Sequence, residues 1–182
     1  DIPILILPSG PADELETANL MFVHAINSAT ERIWIASPYF VPDRPVITAL
    51  QIAGLRGVDV RILIPDKPDH LLVYLAAFSY LDESASTGVG FYRYQDGFLH
   101  QKVMLIDDAV ATVGTANFDN RSFRLNFEIT AVVADRDFAA EVEEMLEADF
   151  ARSQLMEPGE YDRKPWWFRL GVKLARLTAP VQ

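Results

Sequence analysis

Apolar residues recur along this chain in two rhythms, at every second position and at helical spacing, and their alternation predicts its elements. Ile2 to Leu7 opens the chain as a strand-like run. Pro11 and Asp13 start a helix in which Leu15, Ala18, Phe22, Ala25, Ile26 and Ala29 fall on one stripe, with His24 on the opposite, solvent side. Arg32 to Ala36 is the next strand. The stretch Ser37-Pro38-Tyr39-Phe40-Val41-Pro42-Asp43 carries two prolines and is a loop. A helix from Arg44 to Arg56, Gly57 and a strand from Asp59 to Ile64 complete a strand-helix-strand unit.

A second proline-pinned loop, Pro65-Asp66-Lys67-Pro68-Asp69-His70, leads into a helix, Leu71 to Asp82, with Asp69 as its N-cap. That helix is apolar nearly all round and is therefore expected to be buried. Gly88 to Gly90 turns the chain into the strand Phe91 to Tyr94, and Asp96-Gly97 turns it again. Leu99 to Ile106 and Ala109 to Val113 then read as a hairpin about Asp107-Asp108, broken at Gly114. Phe127 to Ala134 alternates too little for a half-exposed strand and reads as a buried one. Asp135 caps a helix running to Ser153, with Phe138, Val142, Met145, Leu146 and Phe150 inward and Glu141, Glu144 and Glu147 in solvent. Crossover and hairpin connections together predict an α/β fold, a mixed β-sheet flanked by helices on both faces.

The 182 residues suit a domain over residues 1–160 followed by a basic amphipathic tail over 161–182. Half the residues are apolar, as in a globular protein with a sizeable core. Cysteine is absent, which removes disulfides and thiolate metal sites. The net charge is −10, yet from Arg163 onward five basic residues meet no acidic one. So acidic a body argues against a duplex nucleic-acid partner, whose phosphates are neutralised mainly by Lys and Arg. In the tail, KPWWFRLGVKLARL puts Trp167, Leu170, Leu174 and Leu177 on one helical face and Arg169, Lys173 and Arg176 on the other. Two readings stand for it: a helix at an anionic membrane surface, or a helix docked on the domain with its charges in water.

The candidate chemistry is concentrated in His100 to Glu128, HQKVMLIDDAVATVGTANFDNRSFRLNFE. Spaced two apart on an extended segment, His100 and Lys102 share one side. An imidazole serves as a nucleophile near neutral pH, and an ammonium beside it holds an anionic oxygen. The returning strand brings Thr115 and Asn117 back as hydrogen-bond donors. The combination points to phosphoryl chemistry through a phosphohistidine. No cluster of carboxylates or histidines has metal-ligand spacing, so neither metal nor other cofactor is expected. Tyr39, Phe40, Lys67 and His70 sit on loops at strand ends, where they either line a pocket for an anionic ligand or cover the sheet.

The pattern H-x-K-x4-D-x6-G-T-x-N, filled by His100, Lys102, Asp107, Gly114, Thr115 and Asn117, resembles the HKD motif of the phospholipase D superfamily. The resemblance implies a half-domain of the phospholipase D-like fold, catalytic roles for His100, Lys102 and Asp107, phosphate binding by Lys102, Thr115 and Asn117, and a carboxylate, Glu128, that orients the histidine; for Asp107, which stands at the turn, an anchor of the hairpin is the alternative reading. Such enzymes set two motifs across one phosphate, because a single imidazole cannot both attack phosphorus and protonate the leaving oxygen on its far side. His24 is followed by Ala-Ile and His70 by Leu-Leu, so this chain holds one motif. Either two copies pair about a twofold axis or the chain is the C-terminal half of a two-motif protein, which an opening at Asp1 favours.

The segments Ser37–Asp43, Pro65–His70, Asn120–Glu128 and Leu-Thr-Ala-Pro-Val-Gln182 together resemble the C-terminal half of bacterial cardiolipin synthases. That implies a parent enzyme in the bacterial cell membrane that joins two phosphatidylglycerol molecules and releases glycerol, the stretch seen here having no transmembrane segment of its own. Its partners would be the phospholipid, the membrane surface and a second HKD half. Two alternatives remain, a dimeric phospholipase D or other phosphodiesterase and a non-catalytic module that binds phosphate or a lipid surface.

Overall fold

The computed structural model describes residues 1–67, 70–84, 86–157 and 159–179. Asp69, the expected N-cap, lies outside them, as do the last three residues of the closing segment. Among the described residues eight strands form one sheet, in the order β1 (Ile4–Ser9), β9 (Glu128–Ala134), β7 (Val110–Gly114), β6 (Val103–Ile106), β2 (Arg32–Ala36), β4 (Asp59–Pro65), β5 (Val89–Tyr94) and β10 (Ser153–Leu155). The β2-β4 and β4-β5 pairs are parallel and the others antiparallel, so the sheet is mixed. A short parallel ladder, β3 (Phe40–Val41) with β8 (Phe118–Asp119), stands apart from it.

The two-residue period of the strands sorts their side chains into two cores. Ile33, Ile35, Ile62 and Met104 pack with α1 (Thr17–Ser28), α2 (Arg44–Leu55), α3 (Leu71–Ser84) and α6 (Trp166–Leu177). Their neighbours Trp34, Leu63, Val103 and Leu105 pack with Ala139, Val142, Leu146 and Phe150 of α5 (Arg136–Ala151). Helices thus cover both faces. Asp135 caps α5 by accepting a 2.9 Å bond from the Phe138 amide, and His24 is exposed.

Four expectations need correction. The first helix begins at Thr17 and leaves Leu15 outside it, 67% exposed, because Asp13 instead closes a turn by accepting from the Gly10 amide at 3.1 Å. Strand β9 is half-exposed: Thr130 and Val133 are buried, but Ile129 is open. Its neighbour is the edge strand β1, whose Ile4, Leu5 and Ile6 are also open, so helices cover this end of the sheet only in part. Met145 faces outward on α5. Helix α3 is buried through Ala76, Ala77, Phe78, Tyr80 and Leu81, while Leu71 and Leu72 at its start stand in solvent.

Candidate active site

The motif histidine and lysine precede the strand that was expected to contain them. Strand β6 begins at Val103, and Leu99 to Lys102 form its lead-in. Alternation nevertheless governs this lead-in. Leu99 and Val103 turn into the α5 core, and Gln101 between them donates to Asp149 at 2.7 Å. His100 and Lys102 therefore turn outward together. The Lys102 ammonium lies 3.2 and 3.3 Å from the two ring nitrogens of His100 and donates to the His100 carbonyl at 3.0 Å. His100 is exposed and Lys102 half-buried. Burial pulls the Lys102 ammonium below its ordinary pKa, while the negative charges of Glu128 and Asp119 push it back up.

Strand β7 returns beside this pair, and the Gly114 amide donates to the Lys102 carbonyl at 3.1 Å. A side chain at position 114 would bring its Cβ to 2.6 Å from the Ile129 carbonyl oxygen, so only glycine lets β7 lie this close to β9. Beyond it, the Thr115 hydroxyl accepts from the Ile129 amide at 3.0 Å and donates to the Glu128 carboxylate. The other Glu128 oxygen accepts from the Asn126 side chain at 3.1 Å. Among the described residues Glu128 makes no hydrogen bond to His100, because the nearer Thr115 and Asn126 occupy it. Thr115 in turn donates its proton to Glu128. What Glu128 supplies at Lys102 is negative charge.

Asn117 is fixed by its amide, which donates to Ser122 Oγ at 3.0 Å, while its side-chain oxygen is buried without a hydrogen-bond partner. Asp119 caps α4 (Asn120–Arg124) by accepting from the Ser122 amide at 2.7 Å. Burial raises the Asp119 pKa, and hydrogen bonds from Ser122 and Asn117 offset part of that rise.

Next to these groups lies a cavity of about 660 Å³. Tyr39, His70, Leu71, Leu72 and Val73 form one wall, and Asn117, Asp119, Arg121, Asn126 and Thr178 form the other. Tyr39 and His70 meet edge to face, ring centroids 5.8 Å apart. The other loop candidates do not belong here. Phe40 is 1% exposed and packs on Phe91 and Tyr80 in the core, because β3 directs it inward. Lys67 is exposed and lines none of the described cavities. Asp119, Arg121 and Asn126 escaped the sequence reading. The spacing of Asp119 from Ser122 is that of an N-cap pair and marks the turn, but nothing local says that the turn borders a cavity.

Asp107 is displaced from the chemistry altogether. Seven residues of extended chain separate it from His100, about 23 Å at strand spacing, so it sits at the opposite end of β6. There its carboxylate accepts from the amides of Thr30, Glu31 and Arg32 at 3.1, 2.8 and 3.0 Å, and from the Thr30 hydroxyl at 3.0 Å. Burial works against that charge, but these bonds prevail and hold the Asp107 pKa below its ordinary value. Its φ of +51° is one that asparagine also tolerates. Asp107→Asn should therefore keep the turn and lose charge-assisted bonds, lowering stability by about 1.5–3 kcal/mol at neutral pH. A carboxylate with a lowered folded-state pKa contributes stability above its unfolded pKa and loses it as pH falls through the folded one. Urea unfolding of both proteins should show their difference shrinking below the ordinary aspartate range. A difference that persists undiminished in acid would mean that the charge is not what matters.

Among the described residues no group of three or more His, Asp or Glu is placed to hold a metal ion, and no helix is long and apolar enough to cross a membrane. The family described as "Cardiolipin synthase, PLD-like domain" matches residues 22–150, which include both walls of the cavity up to Asn126 and the whole HKD motif. The chain belongs to that family. Cardiolipin synthase A of Pseudomonas putida (strain W619) is 54% identical over 175 residues, which is 96% of this chain and 36% of the relative. This phospholipase D-like domain thus spans about a third of the length of the curated relatives it matches. In fold it resembles nuc from Salmonella typhimurium, a phospholipase D family member, with a TM-score of 0.74 at 20% identity over 86% of this chain and 99% of that one. It also resembles the phosphatidylserine synthase of Haemophilus influenzae, with a TM-score of 0.78 at 17% identity over 100% of this chain and 48% of that one.

Proposed function

We propose that this domain is the C-terminal catalytic half of a cardiolipin synthase, which transfers a phosphatidyl group from one phosphatidylglycerol to the terminal hydroxyl of another and releases glycerol. The observation that carries the reading is the outward pairing of His100 with Lys102, ring nitrogen to ammonium 3.2 Å, on an open face beside a cavity with one largely apolar wall. An exposed imidazole reaches a phosphodiester from solvent or from a bilayer surface, and its neighbouring ammonium balances the charge that builds on the non-bridging oxygens. Lys102, and Asn117 at the cavity wall, are the phosphate-binding groups.

In the first step one imidazole nitrogen forms a bond to phosphorus as the bond to the glycerol oxygen breaks, and the other motif's histidine gives that oxygen its proton. In the second, the same histidine takes the proton from the incoming glycerol hydroxyl, the new phosphorus–oxygen bond forms, and the phosphorus–nitrogen bond breaks. The facing histidine comes from the N-terminal half of the parent protein or from a second copy of this chain. Both lipids reside in a bilayer, so the site works at a bacterial membrane surface.

Product analysis with phosphatidylglycerol tests the acceptor. Cardiolipin and free glycerol should form in about equal amounts; phosphatidic acid without cardiolipin would mean that water is the acceptor. That second reading, a dimeric phosphodiesterase, draws on the likeness to nuc, whose chain is matched over 99% of its length by this single-motif unit. Sizing of the chain separates the two: a stable twofold dimer that hydrolyses the lipid favours the phosphodiesterase.

A further inference from the structure

Helix α6 meets the rest of the molecule with only one side. Val172 and Ala175 are buried against it at 0% and 2% exposure, and the Phe168 ring lies 5.1 Å from that of Phe78 on α3. On the opposite side, among the described residues, nothing covers five large apolar side chains. Trp166, Trp167, Leu170, Leu174 and Leu177 are 71, 61, 49, 56 and 77% exposed. At helical spacing these five fall within an arc of about 100°.

The two borders of this arc differ. On one stand Arg169 and Lys173, neither of them ion-paired among the described residues, with Asp82 and Asp162 in the same depression. Arg176, farther round, is held by Glu83 at 2.6 Å. On the other border the apolar surface continues onto α3, where Leu71 and Leu72 are 65% and 57% exposed and share the cavity wall system with Thr178, the residue after α6.

We propose that α6 is a membrane-contact element that lies flat at the surface of an anionic bilayer and turns the mouth of the cavity toward the lipid. Its 12 residues span about 18 Å, too little to cross a bilayer but enough to lie in its interface. Tryptophans at the headgroup level and leucines beneath it match the depth profile of such a surface. Charge selects the orientation. The chain carries −10 overall and is repelled by anionic lipid, but α6 itself holds Arg169, Lys173 and Arg176 and no acidic residue, with Asp82 and Asp162 beside the first two on neighbouring elements. An anionic bilayer is thus the occupant that suits both the apolar arc and the basic helix that carries it. The inference deepens the proposed reaction by naming how the domain meets its lipid, and it rests on that reading only for the meaning of the contact.

The test is sedimentation of the chain with vesicles of phosphatidylcholine alone or mixed with phosphatidylglycerol, together with tryptophan emission. The expected result is binding to the mixed vesicles that weakens with salt, and a blue shift from Trp166 and Trp167. Leu170→Glu with Leu174→Glu should lower binding at least about tenfold while leaving circular dichroism and melting unchanged, since both side chains stand in solvent. Arg169→Glu with Lys173→Glu should abolish the preference for phosphatidylglycerol. No binding by the unaltered chain, or full binding by the leucine variant, overturns the proposal. So does a concentration-dependent dimer lost in that same variant, which would assign the face to a second copy. His100→Ala should bind vesicles normally, so a failure of transfer chemistry and a failure of membrane contact show up separately.

Discussion

Alanine at His100 is expected to lower phosphatidyl transfer by the complete enzyme at least about a thousandfold, since it removes either the nucleophile or the proton donor of the first step. The fold should not notice. The ring is exposed, its nearest aromatic neighbour is Phe98 at 5.7 Å between centroids, and the adjoining strand is held by Leu99 and Val103 on the other side of the chain. Melting and circular dichroism should therefore match those of the unaltered protein. Rapid quenching in denaturant without acid, which spares the phosphorus–nitrogen bond, then distinguishes the two roles: a lipid adduct that disappears with His100 makes it the nucleophile, and one that accumulates on the other motif's histidine makes it the acid and base. Transfer at a substantial fraction of the normal rate in the alanine protein would remove His100 from both.

Methionine at Lys102 is expected to cost about a hundred- to a thousandfold in turnover, the usual effect of deleting one preorganised donor to a developing negative charge. Stability should move by about 1 kcal/mol or less, because the bond to the His100 carbonyl is lost but a partly desolvated charge is removed with it. The lowered pKa supplies a second signature. For a lysine whose folded-state pKa is depressed, the cost of holding the ammonium in the folded protein is present below that pKa and is relieved as pH rises through it. Activity should follow the opposite course, falling on the alkaline side earlier than an ordinary lysine would cause. A Lys102→Met protein with normal turnover would show that the ammonium does not stabilise the developing charge, and one that simply unfolds would show that it is structural.

Much of the site was legible because it is encoded by neighbours in the chain. The strict alternation of Leu99, Gln101 and Val103 with His100 and Lys102 sends the two functional side chains outward whether or not the segment is assigned to a strand, which is why the pairing held although β6 starts at Val103. The Asp135 cap needs only the three residues after it, and the helical stripe of Phe22, Ala25 and Ile26 needs only its own spacing. The same reasoning erred where exposure depends on what lies over an element. Ile129 reads as core by its own sequence and is open because the strand beside it is an uncovered edge.

The amino-acid sequence by itself determined the mixed α/β arrangement, the common side of His100 and Lys102 and membership in the phospholipase D superfamily, since each depends on residue types a few positions apart. Tertiary structure alone decided which partner each remaining polar group would take. Asp107 finds Thr30, Glu31 and Arg32 more than seventy residues away, and these bonds make it an anchor for the sheet. Glu128 goes to Thr115 and Asn126, and Arg121 comes to share a cavity with Tyr39 and His70. The tail is docked on α3 by one face and carries uncovered apolar side chains on the other. Hydrogen bonds and cavity walls join elements that are distant in the chain, and their geometry exists only after the cores on the two faces of the sheet have fixed where those elements stand.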